Sequence, residues 1–208
     1  YEISECLVGS EMCIRDSFDA GLIHGVIGKN GAGKTVLLRL LCGLMHPSKG
    51  QVIVDGKQLG KDVDFAPDAG IIIETPCFLP YLSGFQNLKE LASIRNIISK
   101  EEIAEAMEQV KLDPASRKHV GKYSLGMRQR LGIAQAIMER PRYLILDEPM
   151  NGLDTQGMED VRELLQKQKE TGVTVILASH SMEDIRILCD TVHRIQDASL
   201  IPCTTEFS

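Results

Sequence analysis

Residues 28–35 read Gly-Lys-Asn-Gly-Ala-Gly-Lys-Thr and fill every constrained position of the pattern G-x-x-x-x-G-K-[ST]. Glycines at 28, 31 and 33 let the backbone adopt positive φ and come close to an anion, so the loop's N–H groups can face phosphate oxygens. The chemistry this suits is nucleoside triphosphate binding. Lys34 would reach the β- and γ-phosphates and the Thr35 hydroxyl would meet Mg²⁺. Lys29, Asn30, Ala32 and Val36 would complete the cradle at the positive end of a helix. A plain glycine turn between strand and helix is the competing reading, and the full pattern argues against it.

A second set of residues could act on such a ligand. Asp147 and Glu148 follow the apolar run Tyr143–Leu146, which puts two carboxylates at the C-terminal end of a buried strand, where open α/β sheets place ligands. Alone, a strand ending in two acids is more often a turn. Beside a phosphate loop the pair suits phosphoryl transfer, with Asp147 on Mg²⁺ and Glu148 deprotonating the attacking water. Ser124 and Gly126 open a helix, a second anion site by its free N–H groups, although an ordinary N-cap is the simpler reading of that stretch taken alone.

The elements that must hold these groups follow from periodicity. Gly21–Ile27 is an apolar run before the loop, and Val36–Cys42 after it is apolar on nearly all sides: a buried strand, a loop, then a buried helix expected to stop near Met45–Pro47. A hairpin is expected at Gln51–Val54, turning at Asp55-Gly56, and strands at Gly70–Ile73, Tyr143–Leu146, Val173–Ala178 and near Val192–Ile195. Helices are expected over 87–98, from Ser99 with Glu102 completing a capping box, over 124–139, through Met158, Val161, Leu164 and Leu165, and over 181–190. The fold class is therefore α/β, of the P-loop nucleoside triphosphatase type: a mainly parallel sheet flanked by helices, a small antiparallel β part and an inserted all-helical subdomain. Residues 1–208 form a single domain in this reading, with 18–76 and 140–200 as the αβ core, which the resemblance given below implies is RecA-like, and 77–139 as the helical insertion. Residues 1–17 show neither alternation nor helical spacing; they are either an irregular edge strand or an extraneous stretch.

Composition narrows the partners. With 23 Lys and Arg against 29 Asp and Glu, the net charge of −6 offers no footprint for nucleic acid. The six cysteines form no C-x-x-C pair, so a disulfide or zinc framework is not expected and the cytosol is the natural compartment. No apolar run approaches the length of a spanning helix.

Together with the phosphate loop, Tyr123-Ser-Leu-Gly-Met-Arg-Gln-Arg130 resembles the signature of ATP-binding cassette proteins, usually Leu-Ser-Gly-Gly-Gln followed by a basic-Gln-basic run. The intervals from Ser124 to Asp147 and from Glu148 to His180 agree with that family. Asn151-Gly-Leu-Asp154 matches its D-loop and Ser179-His180 its switch histidine. The resemblance implies a head-to-tail dimer in which Ser124 and Gly126 of one cassette face ATP bound by the other. It also implies that His180 contacts the γ-phosphate and that Asp154 couples the two sites. Leu125 and Met127 depart from the signature. Glu74 stands where the family usually carries a metal-binding glutamine, and its bland reading is a surface acid; no aromatic matches the family's adenine-stacking residue. The Glu-x-Pro and Ser-Leu-Gly-Met-Arg-Gln-Arg variants look like the branch serving bacitracin-type and multidrug exporters.

The resemblance implies an ATPase subunit working with a second cassette and a separate transmembrane permease, on the inner face of the cell membrane. A DNA-maintenance ATPase would insert a long coiled coil between Thr35 and Ser124, and the interval is too short for one. A translation-associated protein would carry two cassettes and a basic linker in one chain, so this acidic sequence with one set of motifs would be a single cassette of such a protein, which stays the alternative reading. A nucleotide kinase would not need signature, D-loop and switch histidine together. The aromatic and apolar residues Phe78, Tyr81, Leu82 and Phe85, crowded after Pro76, are expected to form a partly exposed groove for the permease.

Overall fold

The computed structural model describes residues 2–8, 12–196 and 199–203. Ten strands, β1 (Glu2–Val8), β2 (Met12–Ser17), β3 (Ile23–Ile27), β4 (Lys49–Val54), β5 (Lys57–Gln58), β6 (Ala69–Ile72), β7 (Tyr143–Asp147), β8 (Thr174–Ala178), β9 (Thr191–Gln196) and β10 (Ser199–Cys203), form one sheet in the order β5-β4-β1-β2-β10-β9-β3-β8-β7-β6. From β9 to β6 every pairing is parallel. The other half, except for a single parallel pairing between β10 and β2, is antiparallel. Among the described residues there are also six α-helices, α1 (Lys34–Cys42), α2 (Gly84–Arg95), α3 (Lys100–Gln109), α4 (Leu125–Ile137), α5 (Thr155–Glu170) and α6 (Met182–Leu188), and one 3-10 turn at Val120–Lys122.

The parallel strands β3, β7 and β8 are buried at every residue, as strands covered on both faces must be. Their two-residue period splits the core. Tyr143 and Ile145 of β7 pack with Leu37, Leu38, Leu40 and Leu41 of α1, while Leu144 and Leu146 pack with Val161, Leu164 and Leu165 of α5 and with the helices of the insertion. The four α1 leucines are at most 1% exposed, and each is worth about 1.5–3 kcal/mol of transfer free energy. That burial fixes the helix whose first turn forms the phosphate site.

Between β6 and β7, among the described residues, the chain forms only helices, turns and an isolated bridge from Ser83 to His119. Helix α4 lies against the edge strand β6 because Gly70 leaves no side chain there: a Cβ would sit 1.9 Å from the Ala136 carbonyl oxygen. Arg130 then ties α4 to its neighbours, donating to the Val110 carbonyl at the end of α3 and to Asp160 of α5.

Two expectations on helix bounds are corrected. Helix α1 ends at Cys42, before Met45–Pro47, because Gly43 takes φ 81° and its N–H closes onto Arg39 and Leu40 carbonyls. Helix α2 begins at Gly84, ahead of Asn87, because Ser83 and Gln86 form a reciprocal capping box. Residues 2–8 and 12–17, which carry no clean pattern, pair as strands β1 and β2; their register breaks between Ile3 and Cys6 and between Ser4 and Leu7. Tyr1 lies outside the described residues.

Candidate nucleotide site

The loop from Gly28 to Gly33 crosses from β3 to α1. Gly31 has φ 79° and Gly33, the α1 N-cap, φ 104°; no side chain caps the helix, so its first-turn N–H groups face outward from the loop. Gly28 is needed for a different reason, since a Cβ there would press on the Ile195 carbonyl and on Ala32. Lys34 is 8% exposed and donates to the Gly28 carbonyl oxygen at 2.9 Å, which folds its ammonium back over the loop.

Thr35, next along α1, donates from Oγ1 to Asp147 Oδ2 at 2.7 Å. This bond spans two core elements and places the hydroxyl and the buried carboxylate on one side of the loop. Glu148 follows with φ 49°, an uncommon conformation for a carboxylate residue, held by its N–H donating to the Ala178 carbonyl of β8. The turn aims the Glu148 side chain at the end of β8, where Oε2 lies 2.7 Å from His180 Nδ1 and accepts a longer contact from the His180 N–H. Because a carboxylate only accepts, the imidazole donates from Nδ1. A neutral ring then has no proton on Nε2, so donation to a phosphate calls for the imidazolium or for a ring that swings away from Glu148.

Lys34, Thr35, Asp147 and Glu148 share one cleft of about 510 Å³, lined also by Asn30, Gly31, Gly33, Val36, Glu74 and Gln129 among others. Lys29 and Ala32 lie around the loop, in a second hollow of about 710 Å³ that also takes in Gly28, Ser179, His180 and Arg194. Glu74 takes φ 63° after β6 and forms an ion pair with Arg39 of α1. Ser124 and Gly126 do not line the loop's cleft. Ser124 Oγ caps α4 by accepting from the Met127 N–H, and Gly126 packs on the Gly152 carbonyl. Asp154 likewise caps α5 through the Gly157 N–H. The expected groove is divided: Phe78 and Phe85 pack on the core, whereas Leu79 and Tyr81 are 43% and 64% exposed.

Two contributors escaped the sequence reading. Gln129, buried on α4, donates to the Pro149 carbonyl at 3.0 Å and so fixes the turn that carries Glu148. Its place between two arginines is the signal that could have found it. Arg39 carried no signal beyond its spacing from Thr35.

The residues fit a nucleotide with Mg²⁺. Uncapped helix N–H groups, an inward lysine and close glycines suit phosphates, and one carboxylate beside one hydroxyl suits a hexacoordinate cation that takes further oxygens from phosphate and water. Fold and site together define a P-loop nucleotide-binding domain. The model of the ABC transporter family matches residues 14–151. The chain is 45% identical over 174 residues to the uncharacterized ABC transporter ATP-binding protein YybJ of Bacillus subtilis (strain 168), covering 84% of this chain and 80% of that protein. It is 42% identical to the bacitracin transport ATP-binding protein BcrA of Bacillus licheniformis, covering 87% of this chain but only 60% of BcrA. The post-hydrolysis dimer of the ATP-binding cassette MJ0796 with ADP and Pi superposes with a TM-score of 0.83 at 19% identity, over 96% of this chain and 95% of that one. The chain belongs to the ABC transporter family and is an ATPase cassette of it.

Proposed function

We propose that this chain is the ATP-hydrolysing subunit of a membrane exporter, coupling ATP-driven closure of two cassettes to a separate permease. The observation that carries the reading is the pair of adjacent acids at one cleft, Asp147 held by Thr35 and Glu148 held by His180. Lys34 and the N–H groups of residues 29–36 bind the phosphates of ATP. Thr35 and Asp147 hold Mg²⁺, with Glu74 as a further oxygen donor on the same side. When bound, the cation neutralises charge on the phosphates. Glu148 orients the attacking water and takes its proton, and His180 keeps the carboxylate aimed.

Ser124 and Gly126 do not line the cleft of the chain's own loop, although Leu125 between them does, which supports their acting on ATP held by a second cassette; MJ0796 is a dimer. BcrA is named for bacitracin transport, which supports a role in transport; in this reading the direction is export and the cassette lies on the inner face of the cell membrane. Among the described residues no helix is long and apolar enough to cross a membrane, so the permease would be another polypeptide or another part of this one. Its contact would lie at Leu79 and Tyr81. The division into a core over 18–76 and 140–200 and an insertion over 77–139 fits this scheme, since the insertion carries both the signature and the permease face. The test is light scattering of Glu148→Gln with saturating ATP and Mg²⁺: a dimer is expected, and monomer alone would overturn the shared site.

A further inference from the structure

Helix α1 holds both acids on the metal side of the cleft. Thr35 donates to Asp147, and Arg39, four residues on and therefore one turn along the same face, pairs through Nη2 with Glu74 Oε1. Glu74 lines the same cleft as Thr35 and Asp147. Its side chain is 62% exposed and that of Arg39 37%, so the pair sits in water, where such contacts are weak and exchange readily. A carboxylate at this place without a counter-charge would repel a triphosphate. The amide of a glutamine would not, and would need no cation beside it.

We propose that Arg39 is a positioning residue for nucleotide loading: it is the resting counter-ion of Glu74, and the carboxylate leaves Arg39 for Mg²⁺ when nucleotide and metal enter the cleft. The proposal rests on the reading of Glu74 as a metal-side residue given above. Arg39 and the cation then compete for one carboxylate. In the absence of Mg²⁺, Arg39 keeps Glu74 neutralised and lets ATP bind beside it; in its presence, Arg39 opposes ligation. Removing the guanidinium should therefore weaken metal-free binding and tighten metal-loaded binding, and both effects should need the Glu74 charge.

The experiment measures dissociation constants of a fluorescent, non-hydrolysable ATP analogue in EDTA and in Mg²⁺, for the wild type, Arg39→Gln, Arg39→Ala, the conservative Arg39→Lys, Glu74→Gln and Arg39→Gln/Glu74→Gln, with thermal melts confirming the fold. The ratio of the EDTA constant to the Mg²⁺ constant is expected to rise about threefold or more in Arg39→Gln and Arg39→Ala, the scale of a surface ion pair. It is expected to fall in Glu74→Gln and to stay at that value in the double variant, while Arg39→Lys returns the wild-type ratio. If Arg39→Gln shifts binding equally in both backgrounds, Arg39 touches the phosphates itself and the counter-ion role is overturned. If Glu74→Gln lowers the ratio and neither Arg39→Gln nor Arg39→Ala moves it, the pair is idle and the proposal fails alone. If Glu74→Gln itself leaves the ratio unchanged, the metal-side reading of Glu74 falls, and the proposal with it.

Discussion

Glu148 Oε2 lies 2.7 Å from His180 Nδ1, joining the turn after β7 to the turn after β8. Two parallel strands that pair from Tyr143–Thr174 to Asp147–Ala178 thus deliver an acid and an imidazole to one point beside the phosphate loop. The acid needs this orientation to reach a water, because its own backbone has already turned through a positive φ. His180→Ala is expected to lower turnover about 10²-fold or more while nucleotide affinity changes little, since the phosphate cradle is untouched. Parallel phosphate-release and binding measurements check it.

The contact of α4 with β6 sets where the signature sits, and Gly70 permits it. Gly70→Ala pushes a Cβ to 1.9 Å from a main-chain oxygen of the helix, which cannot yield as a side-chain end would. It is expected to cost about 1–3 kcal/mol, lowering Tm by several degrees. A denaturant melt beside Gly56→Ala, where a Cβ would meet nothing within 4 Å although φ is 74°, separates steric clash from backbone strain.

How much of this was legible in the sequence depends on how local each constraint is. The phosphate loop, the acids after β7 and the capping box at Ser99 and Glu102 are fixed by residues within a few positions, and all stand where they were read. Strands β1 and β2 pair with each other and β1 also with β4, and both of these pairings carry a break of register, so no period marks them. Strand β10 was missed because it is short and contains Pro202, which argues against a strand inside a sheet. The ion pair of Arg39 with Glu74, and the bond from Gln129 to the turn at Pro149, join separate elements and leave no pattern in either. Among the aromatics, periodicity could not separate Phe78 and Phe85, which pack on the core, from Tyr81, which does not.

Beneath the loop, His24 of β3 is 1% exposed, and burial holds its imidazole below the ordinary value of 6.5 despite the Asp19 carbonyl, which accepts from Nε2. Thr191 donates to Nδ1, and His193 lies alongside. Above about pH 6.5 both folded and unfolded chains carry a neutral ring, and His24 has no effect on stability. Below it the unfolded chain gains a proton that the folded chain refuses, so stability falls with pH until the folded value is passed. Tm should therefore drop between about pH 7 and pH 5.5, and His24→Gln should have a shallower slope over that interval.

Tyr81 stands out from the insertion on a turn whose neighbours Phe78 and Phe85 are anchored. Tyr81→Asp is expected to leave basal ATP hydrolysis and Tm nearly unchanged and to abolish co-purification with the cognate permease. Intact co-purification would move the contact elsewhere.

The central claim is that Glu148 supplies the base at a site whose binding groups lie on other residues. The most direct measurement is steady-state phosphate release by Glu148→Gln beside its affinity for ATP with Mg²⁺. The account predicts affinity within about threefold of the wild type and turnover reduced by about 10²-fold or more. Turnover near the wild-type rate, with ATP bound, would contradict it.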